Sequence, residues 1–251
     1  MKRFNFLLLA ALLVSAAACN GTGTANSADN EPPANDTAAT ASTDTMAQNT
    51  ATASNDATQN TAQLVQSAAN VVTQMKSDSD LARLMQKAKG VFIVPEYGKG
   101  ALVVGARGGE GVLLAKNGRM WSDPAFYDIG AVSFGPQIGG GGGPVAMLLM
   151  TDKAVNSFKG GNNFSFNANA GFTIVDYNAR AQGSVGKGDV VLWSNIQGAF
   201  AGASLGVSDI NFNDGDNKAY YGVPTITAEQ ILTNKVTAPA SASSLQQTLP
   251  A

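Results

Sequence analysis

Beyond Gly90 the apolar residues come in short runs with glycine between them, and that punctuation limits the folds open to the chain. VFIVP, ALVVGA, GVLLA, AVSFGPQIG, VAMLLM, NFSFNANAGFTIVD, DVVLWSN, GAFAGASLGV and INFN each read as a strand. Glycine inside a strand permits a bend, a bulge or a close approach of backbones. Helical spacing is confined to a few places. Leu64, Val65, Ala68, Val71, Val72 and Met75 form one stripe, opposite the polar but uncharged Gln66, Ser67, Asn70 and Gln74. Leu81, Leu84, Met85 and Ala88 form a second, with Asp78 or Ser79 as cap and Gly90 as stop. TDKAVNSF places Ala154, Val155 and Phe158 on one face, and ITAEQIL begins a short helix with Thr227 as cap. Strands flanked by helices at both ends predict an α+β domain. Its expected architecture is a large twisted antiparallel sheet, able to curl toward a barrel, with N-terminal helices and a short C-terminal helix.

The segment before this domain is of another character. The opening MKRFNFLLLAALLVSAAAC has a basic start at Lys2 and Arg3, then an apolar run from Phe4 to Val14. That is the pattern of a signal peptide, and it is shorter than the ~20 apolar residues of a spanning helix. Cys19 is the only cysteine and follows small residues, so two readings stand side by side. Residues 1–18 can be an ordinary secretory leader, or a lipoprotein leader that leaves Cys19 acylated at the start of the mature chain. The second is preferred, because a lone cysteine in an exported chain has no disulfide partner within it. Acyl chains contribute ~0.8 kcal/mol per buried methylene to membrane attachment. Residues 19–60 are rich in Ala, Thr, Asn, Ser and Asp, with no aromatic residue, lysine or arginine. Such a stretch buries too little apolar surface to offset its ordering entropy and is expected to be a disordered acidic tether. The expected domain spans 61–239, followed by a flexible tail, 240–251.

Several short motifs invite a catalytic reading. GASLG, Gly202 to Gly206, matches the G-x-S-x-G elbow that presents a nucleophilic serine. Ser204 would need a base, and the chain contains no histidine, so a Ser-His-Asp triad is excluded. Ser184 and Lys187 match S-x-x-K, but the S-D-N and K-T-G companions of that enzyme class are absent. A glycine-rich turn explains the segment equally simply. DINFNDGDN resembles a calcium loop, but Asp214 stands where the loop needs glycine and Tyr220 where it needs glutamate. A polar hairpin turn is the expectation there. The glycines from 139 to 143 lack the lysine of a phosphate-binding loop, and Pro144 removes a donor. No metal and no cofactor is expected, and Trp121, Phe126, Tyr127 and Phe134 read first as core.

Charge leaves one further signal. The formal net charge is −2, which gives no footing for nucleic-acid binding. The distribution is uneven, however. Between residues 76 and 119 lie Lys76, Arg83, Lys87, Lys89, Lys99, Arg107, Lys116 and Arg119, opposed by Asp78, Asp80, Glu96 and Glu110. These bases are either solvated faces of helices and loops or a patch for anionic head groups, each contributing ~1 kcal/mol near such a surface.

LMQKAKGVFIVPEYGKGALVVGARGGEGVLLAKNGRMWSDPAFYDIGAVSFGPQIG resembles the SYLF domain, a lipid-binding module of endocytic proteins. AFAGASL at 199–205 and AYYG at 219–222, followed by AEQIL, resemble it too, and the likeness runs from about Leu64 to Leu232. Lys116 to Met120 replaces a shorter glycine turn, and the polyglycine loop replaces more mixed sequence. The resemblance implies a non-catalytic domain, with Ser204 in a structural strand. It favours the patch reading, with Lys76, Arg83, Lys87, Lys89, Lys99 and Arg107 as lipid-binding residues. The expected protein is a bacterial outer-membrane lipoprotein, anchored through Cys19, with its domain in the periplasm. Its expected partner is an anionic phospholipid or membrane surface. The alternatives are a structural or protein-interaction module meeting an envelope protein, and a hydrolase using Ser204 or Ser184.

Overall fold

The computed structural model describes residues 42–98, 108–133, 142–160, 163–177, 188–196 and 206–251. Helix α1, Ser42–Lys76, is followed by α2, Ser79–Lys87. Asp78 caps α2 by accepting from the backbone amides of Asp80 and Leu81. The strands follow: β1 Gly90–Tyr97, β2 Gly109–Asn117, β3 Met120–Trp121, β4 Ala125–Ile129, β5 Ala131–Ser133 and β6 Gly143–Leu149. Helix α3, Asp152–Lys159, is capped by Thr151. Strands β7 Phe164–Phe166, β8 Ile174–Asp176, β9 Val190–Ser194 and β10 Gly206–Phe212 come next. Helices α4 Asp214–Tyr221, α5 Ala228–Leu232 and α6 Ala242–Thr248 close the chain.

Among the described residues the strands form one ten-stranded sheet in the order β5-β10-β4-β2-β1-β6-β9-β8, with β3 on β2 and β7 on β10. It curls into a nearly closed, barrel-like sheet, as expected of the α+β class. The pairings are antiparallel except that between β8 and β9, which is parallel. β1 lies between β2 and β6, with Phe92 opposite Leu113 on one side and Met147 on the other. Val91, Phe92, Ile93 and Val94 are all buried, and so are Val112 to Ala115. Strands covered on both faces lose the alternation of a half-exposed sheet and read as continuous apolar runs. Phe92, Tyr127, Phe158, Phe164, Phe166 and Phe172 stack edge-on or tilted along a continuous path, with neighbouring ring centroids 4.8 to 6.1 Å apart. Trp121, Phe126 and Tyr127 are buried, as read from the sequence; Phe134 lies outside the described residues.

Three boundaries differ from the sequence reading. The tether was placed at 19–60, but the chain is helical from Ser42. Once a helix is fixed by tertiary packing, adding residues to it costs far less than starting one. The packed face also begins earlier than the apolar stripe. Thr61 is buried with its hydroxyl bonded to the carbonyls of Ala57 and Thr58, and Thr58 donates to the Ala219 carbonyl. The flexible tail expected at 240–251 is instead a packed element. Leu245 and Leu249 are buried, and α6 lies against α1. The polar hairpin turn expected in DINFNDGDN is a helix start: Asn213 caps α4 by accepting from the Asp216 amide. An asparagine followed by two acids in the first turn suits a helix N-terminus as well as it suits a turn.

Candidate functional site

Four of the six bases assigned to lipid contact lie among the described residues; Lys99 and Arg107 lie outside them. Their surroundings divide them. Lys76, in the last turn of α1, donates to the Thr248 carbonyl at 3.0 Å, near the C-terminal end of α6. Arg83 pairs with Asp80 one turn away on the exposed face of α2. Lys89 pairs with Asp152 of α3 at 3.7 Å. Exposed pairs of this kind contribute 0–1 kcal/mol or so and give way to a stronger anion. Lys87 is exposed in the last turn of α2.

The structure brings Lys116 to this end of α2 and puts Arg119 in the loop of the hairpin that carries it. β2 and β3 form a hairpin in which Lys116 faces Trp121 and Asn117 faces Met120. The Lys116 amide donates to the Lys89 carbonyl at 2.7 Å, which ties the hairpin to the start of β1. The Lys116 ammonium donates to the Gln86 carbonyl at 3.1 Å and lies 5.4 Å from the centre of the Trp121 ring. That bond takes up one of the carbonyls left open at the end of a helix. Lys116 and Lys87 are thus gathered where α2 ends.

The hairpin is pinned at several points. Trp121 Nε1 donates to the Pro250 carbonyl at 2.7 Å, and Asn117 Nδ2 to the Leu232 carbonyl at 2.9 Å. Gln246 Nε2 donates to the Ser122 carbonyl and the Asp123 carboxylate. Burial raises the pKa of Asp123, and the Gln246 bond opposes that rise. The C-terminal segment that the sequence reading set aside is therefore what holds the basic end in shape. Sequence reasoning named Lys116 and Arg119 in the charge count but left them out of the site. The signal that would have found them is the two-residue loop at Gly118 and Arg119, which brings the hairpin strands together.

A second group is acidic. Glu110 of β2 stands opposite Asp128 of β4, and Asp216 in the first turn of α4 reaches them through Asn213. Asn213 Nδ2 donates to Asp128 Oδ1 at 3.2 Å and to Asp216 Oδ2 at 3.0 Å. Burial raises all three carboxyls, and Asp216 is pushed up to about 6 by burial and by the charges of Glu110 and Asp128. Among the described residues no cluster of three His, Cys, Asp or Glu side chains is arranged to hold a metal ion. Ser184, Lys187 and Ser204 lie outside the described residues, as does Cys19. No described helix is long and apolar enough to cross a membrane.

Residues 130–251 match the family profile Ysc84, described as Las17-binding protein actin regulator. The chain is 31% identical over 178 residues to SH3 domain-containing YSC84-like protein 1 of Xenopus laevis, an alignment covering 66% of this chain and 50% of that protein. The Bos taurus protein of the same name is 31% identical over 173 residues, covering 67% of this chain and 50% of the relative. An SH3 domain-containing protein of Schizosaccharomyces pombe is 29% identical over 173 residues, covering 66% of this chain and 40% of its own length. The chain thus spans about half the length of the YSC84-like relatives it matches.

Proposed function

Since the chain contains a domain of the Ysc84 family, we propose that it is a non-catalytic module that docks on anionic amphiphile surfaces through its basic end. The observation that carries this reading is the placement of Lys116, held between the Gln86 carbonyl and the Trp121 ring beside the exposed Lys87. A cation ordered before binding loses less freedom when it meets a head group, so its charge contributes more to affinity. Lys76, Arg83 and Lys89 border this end, and the last two exchange weak exposed carboxylate partners for phosphate. In this reading Cys19 is lipidated, and the protein is an outer-membrane lipoprotein with its domain in the periplasm. Anchor and basic end then act together, because the anchor raises the domain's local concentration at the membrane. The lack of histidine in the chain excludes a Ser-His-Asp triad at Ser204.

A protein ligand is the second reading, favoured by the family description, which names one. Vesicle flotation separates the two. The mature chain, residues 19–251 carrying Cys19→Ser, which removes both the apolar leader and acylation, is mixed with zwitterionic or anionic phospholipid vesicles at low and high salt. Preferential flotation with anionic vesicles, weakened by salt, is expected. Lys87→Glu combined with Arg119→Glu should lower it by roughly tenfold or more. Equal flotation with both vesicle types, or none, would refute lipid docking by charge and leave the protein ligand.

A further inference from the structure

Among the described residues Met120 is the one large apolar side chain left exposed, at 68% of its full surface. Scattered exposed apolar residues are ordinary on protein surfaces. The setting of this one is not. It stands at the end of the β2–β3 hairpin, directly after the loop formed by Gly118 and Arg119. Gly118 has φ 66° and occupies the first loop position, as the glycine of a tight hairpin turn does. A side chain at Gly118 would meet nothing within 4 Å, so the loop stands clear of the rest of the fold. Behind the tip, Asn117, Lys116 and Trp121 are tied to α5, α2 and the C-terminal segment in turn. Strand alternation turns Trp121 inward, where it is buried, and Met120 outward. The result is a braced protrusion ending in an apolar side chain, with the exposed Arg119 beside it and Lys116 one residue pair behind.

We propose that Met120 is the insertion point of this domain into an anionic bilayer, with Arg119 and Lys116 bearing on the head groups around it. The inference rests on the lipid-docking reading and assigns the hydrophobic half of the contact. A bilayer is the occupant that fits a narrow tip. A stable protein interface needs about 800 Å² on each partner, whereas acyl chains close around a single protruding side chain. Methionine is unbranched and adapts to disordered surroundings. The cations complement anionic head groups, while Asp123, the nearest acid in sequence, is half-buried and bonded to Gln246.

The test places a probe at the tip. The mature chain, residues 19–251 carrying Cys19→Ser and Met120→Cys, is labelled with an environment-sensitive fluorophore and mixed with anionic vesicles, with and without spin-labelled acyl chains. A blue shift and quenching by the acyl-chain label are expected. Unlabelled Met120→Ser should partition roughly tenfold less than the parent, with the same salt dependence, and Met120→Leu should partition like the parent. If the parent floats with anionic vesicles while the probe at 120 stays in water, or while Met120→Ser floats equally well, insertion is overturned and charge docking survives. If the parent does not float with anionic vesicles, both readings fall.

Discussion

Asn217, on α4, has no exposed surface, yet every polar atom of its carboxamide is engaged. Its Oδ1 accepts from the Phe126 amide at 3.1 Å, and its Nδ2 donates to the carbonyls of Phe126 and Asn213 at 2.8 and 2.7 Å. The side chain thus stands in for a neighbouring strand along β4. The tyrosines of AYYG extend the same attachment. The Tyr221 hydroxyl donates to the Pro124 carbonyl, and the Tyr220 ring lies 4.9 Å from that of Phe126. Asn217→Ala takes the carboxamide acceptor from the buried Phe126 amide, at a cost of about 1–3 kcal/mol, while the Phe126 carbonyl keeps the Asn213 amide at 3.0 Å. The expected loss is about 1–3 kcal/mol in urea unfolding. An unchanged midpoint would show that water replaces the carboxamide.

At the scale of elements, α6 is the helix least expected from the sequence. Leu245 is fully buried where α6 lies against α1, and Trp121 is latched to Pro250 just beyond it. Leu245→Ala should cost about 2–5 kcal/mol and shift tryptophan emission to the red as the latch loosens. A loss below 1 kcal/mol would mean that α6 adds little to the fold. Most elements were legible because their signals are local. Asp78, Thr151 and Thr227 cap where side-chain chemistry says they should, and continuous apolar runs marked β1, β2, β6 and β9. What stayed hidden depends on partners distant in sequence. AFYDI carries a charge at its fourth residue, Asp128, and follows a proline, so it does not announce β4. Only its pairing with β2 and β10 makes it a strand. TAPASASSLQQTLPA reads as loose because its few apolar residues gain meaning only against α1 and Trp121. For the site, the charge count found the cations, but chain position could not show which of them Asp80 and Asp152 engage, nor that Met120 would stand exposed.

The molecule as a whole carries an acidic junction that sets how its stability responds to pH. Glu110, Asp128 and Asp216 join β2, β4 and α4 through Asn213, and burial raises each of them. A raised carboxyl pKa means that the folded chain holds protons the unfolded chain has released, so folding is favoured where they are bound. For Asp216 that contribution is present in full below its ordinary value of 3.8 and is lost as pH rises through about 6. The helix N-terminus and the Asn213 amide favour its ionised form and soften the effect without reversing it. Acid denaturation normally follows from carboxylates whose pKa is depressed by folding, and this junction acts against that trend. The urea midpoint should therefore fall between pH 5 and pH 7.5. Asp216→Asn, which keeps an acceptor for Asn213 but cannot ionise, should flatten that fall and raise the midpoint more at pH 7.5 than at pH 5. A variant that shifts the midpoint equally at both values would show that Asp216 is already charged throughout this range, and that the junction is held by solvent rather than by shared protons.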